Sequence, residues 1–185
     1  MRIFILFISI LFHATTLSQI SKPKMVIAIV VDQMKYEYVY RFWDDFGEKG
    51  FKKLIDEGTF CRNTHYNYVP TYTGPGHASI FTGTTPAVHG IIGNSWYSRD
   101  SLKPVYCAGD WKAQTICLCQ KPHDQLNKGD GKMSPRNLLS TTIGDQLKIV
   151  DTSSKVFGVS LKDRGSILSA GFSADGAYWM NSTGN

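Results

Sequence analysis

The stretch Met25-Val26-Ile27-Ala28-Ile29-Val30-Val31-Asp32 decides the fold class. Its first seven residues are apolar without interruption and rich in Val and Ile, the signature of a strand buried on both faces of a parallel sheet. Asp32 then falls at the C-terminal end of that strand, the edge where open α/β sheets bind ligands. Downstream, residues 36–46 and 51–57 carry apolar side chains at helical spacing, and Gly58 is placed to stop the second helix. Residues 60–68 return toward a Thr-rich loop. The expected order is strand, helix, strand, helix, and the expected class is α/β.

That loop, Tyr68-Val69-Pro70-Thr71-Tyr72-Thr73-Gly74-Pro75-Gly76-His77, sets a hydroxyl before a glycine-rich entry into a helix expected from about residue 76 to 81. Amides in a helix's first turn lack intrahelical partners and lie at the positive end of the dipole, so they attract anions such as phosphate. Pro75 costs little there, having no N–H to lose. Thr73 is therefore a candidate nucleophile. A Thr in this place is also an ordinary N-cap, and the local pattern leaves both readings open.

The N-terminus reads as an export signal. Arg2 precedes an apolar run at residues 3–12 broken only by Ser9, too short for the roughly 20 residues of a membrane span and right for a cleaved signal core. Residues 1–20 accordingly read as a signal peptide, cleaved between residues 14 and 21, with a periplasmic or secreted destination and no stable membrane span after removal; an uncleaved lipid-embedded anchor is the competing reading. Twenty basic and fifteen acidic residues give a net charge of +5, and the cations are scattered. No stripe for nucleic acid results, while anionic small molecules suit the balance. Cys61, Cys107, Cys117 and Cys119 permit three disulfide pairings between which the sequence does not choose. Cys117 and Cys119 are too close for relaxed geometry as a pair, and a Cys-x-Cys metal site lacks a histidine pair nearby.

From residue 90 to 130 the pattern loosens, with Trp96-Tyr97 and Pro104-Val105-Tyr106 as short hairpin strands, so residues 95–133 read as a loop-rich insertion over the site. A helix is expected at 138–150, with apolar Leu138, Leu139, Ile143 and Leu147. A second buried strand is expected at 155–161, and residues 176–180 look like another. The Asn-Ser-Thr at Asn181 fits a glycosylation sequon. The segment after residue 20 reads as an incomplete domain.

Lys162 and Arg164 follow directly on the second buried strand. In extended backbone, residues two apart share a side, so both cations would project together with Asp163 facing away. Two converging cations suit a dianion, the guanidinium as a planar fork and the ammonium as a compact charge; a solvated turn is the competing reading. Asn94, in Gly90-Ile91-Ile92-Gly93-Asn94, can donate its amide to a phosphate oxygen or simply serve a turn. His65, His77 and His89 show no ligand spacing and read as structural hydrogen-bonding groups. Trp96, Trp111 and Trp179 read as packing.

Taken in order, Val30-Val31-Asp32-Gln33-Met34, Val69-Pro70-Thr71-Tyr72-Thr73 with Gly76-His77, Pro86-Ala87-Val88-His89-Gly90-Ile91-Ile92-Gly93-Asn94, Ser134-Pro135-Arg136-Asn137 and Ser160-Leu161-Lys162-Asp163-Arg164 resemble the phosphate-irrepressible alkaline phosphatases of the alkaline phosphatase superfamily. The resemblance covers nearly everything after the signal. It implies a three-layer αβα sandwich with a mostly parallel central sheet, of which residues 21–185 form the N-terminal part. It also implies a two-zinc phosphate monoester hydrolase in which Asp32 binds zinc, Thr73 is both zinc ligand and phosphorylated nucleophile, and Asn94, Lys162 and Arg164 contact the phosphoryl oxygens.

One departure bears on activity. The family completes its zinc sites with Asp and His residues downstream of the lysine and arginine, and those ligands are absent from this chain, so poor zinc binding and little turnover are expected of it alone. Two competing functions follow: a phosphodiesterase or nucleotide pyrophosphatase of the same superfamily, and a non-catalytic exported remnant. A sulfatase is disfavoured because its Cys-x-Pro-x-Arg nucleophile is missing, as none of the four cysteines has proline two residues on.

Overall fold

The computed structural model describes residues 23–114 and 131–180. The expected signal at residues 1–20, Cys117, Cys119 and the sequon at Asn181 lie outside the described residues. The chain divides into two units, Met1–Val31 and Asp32–Asn185. In the first, residues 23–31 form neither strand nor helix, and Met25, Val26, Ile27 and Ile29 are 69% to 78% exposed. The doubly buried strand expected at 25–31 is thus corrected. A β-branched run specifies a surface that needs cover, but a strand exists only when its N–H and C=O groups are shared with a neighbour. No described strand pairs with it.

The second unit opens with α1 (Glu37–Arg41), a 3-10 turn at Trp43–Asp45, and α2 (Phe51–Glu57). α2 ends where expected, the Gly58 N–H donating to the Leu54 carbonyl at 3.1 Å. The return through residues 60–68 contains no strand, so the second strand of the expected strand, helix, strand, helix order is missing there. Side chains tie this stretch down instead: the Tyr66 and Tyr68 rings meet edge to face at 5.3 Å, and Tyr68 Oη donates to the Pro75 carbonyl at 3.1 Å. α3 (Thr73–Thr82) and α4 (Pro86–His89) both close on a left-handed glycine, Gly83 at φ 68° and Gly90 at φ 78°.

The hairpin expected in the insertion is present. β1 (Ser95–Ser98) and β2 (Lys103–Tyr106) pair antiparallel with Trp96 opposite Val105 and Tyr97 opposite Pro104. Beyond it, the Asp110 N–H donates to the Lys132 carbonyl and the Ser134 N–H to the Ala108 carbonyl, each at 2.9 Å. These bonds stitch together the two described ends of the loop-rich segment.

α5 (Ile143–Val150) starts five residues later than the apolar pattern implies, because Thr142 caps it. Thr142 Oγ1 accepts the Asp145 N–H at 3.2 Å while Asp145 Oδ2 accepts the Thr142 N–H at 2.8 Å, a reciprocal capping box. β3 (Phe157–Ser160) and β4 (Gly176–Trp179) pair in parallel across α6 (Asp163–Ala170), a βαβ unit. β3 is covered on one face only: Gly158 is buried against α6, whereas Val159 is 80% exposed. The strand stands where the sequence puts it, but it is not doubly buried. Ala78, Ile91, Cys107, Leu138 and Leu168 form the core, with Trp96 and Tyr106 packed on it. Each fully buried Ile or Leu there contributes about 1.5–3 kcal/mol.

Candidate active site

α3 begins at Thr73 rather than near Gly76, and Tyr72 is its N-cap. Thr73 therefore sits in the first turn, and its hydroxyl caps nothing. Thr73 Oγ1 donates instead to Asp32 Oδ2 at 2.9 Å, across 41 positions of sequence. The capping alternative is overturned by this contact. Asp32 opens a turn whose next residue, Gln33, has φ 59°, a left-handed conformation uncommon outside glycine.

The same helix start alters the expected anion cradle. The Gly74 N–H donates to Asn94 Oδ1 at 2.7 Å, Pro75 has no N–H, and the Gly76 N–H returns to the Tyr72 carbonyl at 2.9 Å. The glycine-rich turn thus presents few open amides. What it does instead is orient Asn94: with Oδ1 taken by a backbone donor, the Nδ2 group is the end left to donate elsewhere. The contact that fixes this orientation comes from a residue 20 positions upstream.

Gly74 is also where a third segment arrives. A Cβ there would stand 3.1 Å from Asn94 Oδ1 and 3.2 Å from Cys107 Sγ, tighter than ordinary contact, so the bare Cα lets the Cys107 thiol lie against the turn without a shift. Burial pushes that thiol up to about 11, with the Arg164 guanidinium pulling the other way. Cys107 is a neutral packing group.

Arg164 and Asp163 meet on one tyrosine. Tyr106 Oη donates to Asp163 Oδ1 at 2.7 Å and accepts from Arg164 Nη1 at 3.2 Å. The expectation that Asp163 faces away is corrected, because α6 begins at Asp163 and the extended backbone it assumed stops at Lys162. Lys162 is exposed at the N-cap of α6, and its Nζ makes no ion pair or hydrogen bond among the described residues. The structure thus joins Asp32 to Thr73, Asn94 to the residue after Thr73, and Arg164 to the Tyr106-Cys107 pair that abuts Gly74. Lys162 is the one predicted residue whose side chain it does not tie in.

His77 and His89 are structural, as expected. His77 Nδ1 donates to the Thr73 carbonyl at 2.9 Å, and His89 is fully buried with Nε2 at 2.9 Å from Ser79 Oγ. The residues missed from sequence are Tyr106, Asp163 as a partner, and Asn137, whose Nδ2 donates to the Tyr106 carbonyl at 2.9 Å and holds that backbone in place. Their contacts span 28 to 58 positions, so no local signal marks them. Among the described residues no group of three His, Cys, Asp or Glu side chains is arranged to hold a metal ion, and no helix is long and apolar enough to cross a membrane.

Residues 26–183 match the family model described as type I phosphodiesterase / nucleotide pyrophosphatase. The chain is 44% identical over 180 residues to alkaline phosphatase PafA of Elizabethkingia meningoseptica, covering 97% of this chain and 32% of that protein. It is 45% identical over 163 residues to alkaline phosphatase PhoV of Synechococcus elongatus, covering 88% and 28%. A crystal structure of wild-type PafA superposes with a TM-score of 0.78 at 45% identity, over 87% of this chain and 30% of that one. The chain thus spans about a third of the length of the relatives it matches. Its fold is the α/β fold of the alkaline phosphatases, and the chain belongs to the type I phosphodiesterase / nucleotide pyrophosphatase family, within the alkaline phosphatase superfamily.

Proposed function

We propose that the full-length protein is an exported phosphate monoester hydrolase with Thr73 as its nucleophile. The observation that carries this reading is the Thr73 Oγ1 to Asp32 Oδ2 hydrogen bond at 2.9 Å, which sets an alcohol in the first turn of a helix beside a carboxylate. In the reaction, Thr73 Oγ bonds to phosphorus as the ester P–O bond breaks, releasing the alcohol and leaving a phosphothreonine. Water then cleaves the phosphothreonine to inorganic phosphate. Phosphoryl transfer is governed by charge placement more than by acid–base groups. Asn94 Nδ2, Lys162 and Arg164 would meet the charge on the non-bridging oxygens.

Zinc is part of this proposal, and the residues fit it in kind but not in number. Asp32 and Thr73 offer two oxygen donors held side by side, whereas catalytic zinc takes three protein ligands. The further ligands, and those for a second ion, are proposed to come from the part of the family's length that this chain does not span. Bound zinc would lower the pKa of the alcohol and neutralise oxygen charge.

The test is an assay of the full-length gene product with zinc on matched monoester and diester substrates. A monoester preference is expected, with Thr73→Ala abolishing turnover and Arg164→Ala lowering kcat by about 10²–10³-fold, the usual cost of removing a transition-state donor. The family description names phosphodiesterases, so a diester preference is the competing reading. A diester preference with Lys162→Ala nearly silent would overturn the monoesterase assignment. For the 185-residue chain itself, submicromolar zinc binding that depends on Asp32, measured by calorimetry, would contradict a remnant without function.

A further inference from the structure

We infer that Tyr106 is a positioning residue that locks the Arg164 guanidinium for an incoming phosphoryl group, a proposal that rests on the phosphatase reading above. The hydroxyl of Tyr106 has one proton and it is spent on Asp163 Oδ1 at 2.7 Å, so the oxygen's lone pairs are what Arg164 Nη1 finds at 3.2 Å. Tyr106 thus relays the Asp163 charge to the arginine without a direct ion pair, which would compete with an anionic ligand. Burial, followed by the bond to Asp163, pushes the phenol up to about 12, so it stays a neutral donor in alkaline solution. The ring packs on the core cluster, and the Asn137 amide holds its carbonyl, giving the clamp a rigid base.

The guanidinium's remaining donors point to a ligand. Arg164 Nε is buried and has no hydrogen-bond partner. A buried N–H without a partner is rare in a protein chosen for stability alone. A guanidinium takes an anion's two oxygens through a pair of N–H groups along one edge. Nη1 is held by Tyr106 and Nε is a buried donor that no protein acceptor takes, so the guanidinium is fixed in place with donor capacity left over.

The experiment is a double-mutant cycle in the zinc-loaded full-length gene product, with Tyr106→Phe, Arg164→Ala and both together. Two quantities are read: the inhibition constant for inorganic phosphate, and kcat/KM for a phosphate monoester. Tyr106→Phe is expected to weaken phosphate inhibition and lower kcat/KM by about tenfold, the low end of what a hydrogen bond to a charged group contributes, with the melting temperature held within a few degrees. In the Arg164→Ala background it should add nothing. If Tyr106→Phe costs as much without Arg164 as with it, the hydroxyl does not act through the arginine and the inference falls, while the phosphatase reading stands on the Arg164→Ala loss. If Arg164→Ala leaves phosphate inhibition unchanged, that reading fails and takes the clamp with it. Should Tyr106→Phe not fold, Asp163→Asn enters the same cycle, since it keeps an acceptor for the hydroxyl and removes the charge.

Discussion

At the residue scale, a hydrogen-bond chain running from α3 to His89 makes a prediction about pH. His89 Nδ1 accepts the Ile91 N–H at 3.1 Å, which places the neutral ring's proton on Nε2. Nε2 then donates to Ser79 Oγ at 2.9 Å, Ser79 Oγ donates to Tyr68 Oη at 2.8 Å, and Tyr68 Oη donates to the Pro75 carbonyl at 3.1 Å. Every proton has one direction, and a second proton on the ring would face the Ile91 N–H. Burial lowers the His89 pKa below its ordinary 6.5. The unfolded chain therefore binds a proton at a pH where the folded chain does not, so stability is full above about pH 6.5 and is lost as pH falls toward the depressed value. Urea midpoints should be lower at pH 5.5 than at pH 7.5, and His89→Gln should remove that difference.

Elements are set by contacts of one or two atoms. The α5 capping box buries Asp145, which also accepts the Ser173 N–H at 2.7 Å, so one carboxylate joins the start of α5 to the segment after α6. Thr142→Ala should cost about 1–2 kcal/mol, the usual loss on removing a side-chain cap, in a urea unfolding experiment. Gly158 is the matching feature of β3. A Cβ there would stand 2.4 Å from the Ser166 carbonyl oxygen and 3.0 Å from Ala170 Cβ, and the backbone of α6 has no easy way to yield. Gly158→Ala should destabilise by about 1–3 kcal/mol by overpacking, read as a fall in the urea midpoint without a change in slope. At this scale the sequence was informative where pairing is local. The Trp96-Tyr97 and Pro104-Val105-Tyr106 alternation is readable because a hairpin closes within a dozen residues. The α5 start was readable too, in Thr142 and Asp145 three apart, and apolar periodicity overran that signal.

At the scale of the whole molecule, apolar surface is the dominant feature. Met25, Val26 and Ile29 in one unit, and Val69, Val159, Leu161 and Val150 in the other, are each 75% or more exposed. Uncovered apolar side chains and unpaired strand edges drive self-association. The 185-residue chain is therefore expected to scatter light and to elute above its monomer mass; a sharp cooperative melt from a monomeric preparation would refute this. Sequence by itself determined the class of fold, the hairpin, the β3–β4 segments and the order in which Asp32, Thr73, Asn94 and Arg164 occur, because periodicity and residue chemistry are properties of short windows. Only the tertiary structure decided that residues 25–31 lie bare, that α3 starts at Thr73 and turns its hydroxyl to Asp32, that Gly74 orients Asn94, and that Arg164 is held by a tyrosine 58 positions upstream. A strand needs a partner, and a donor its acceptor. Both are supplied by segments far away in the chain, where no window of sequence can see them.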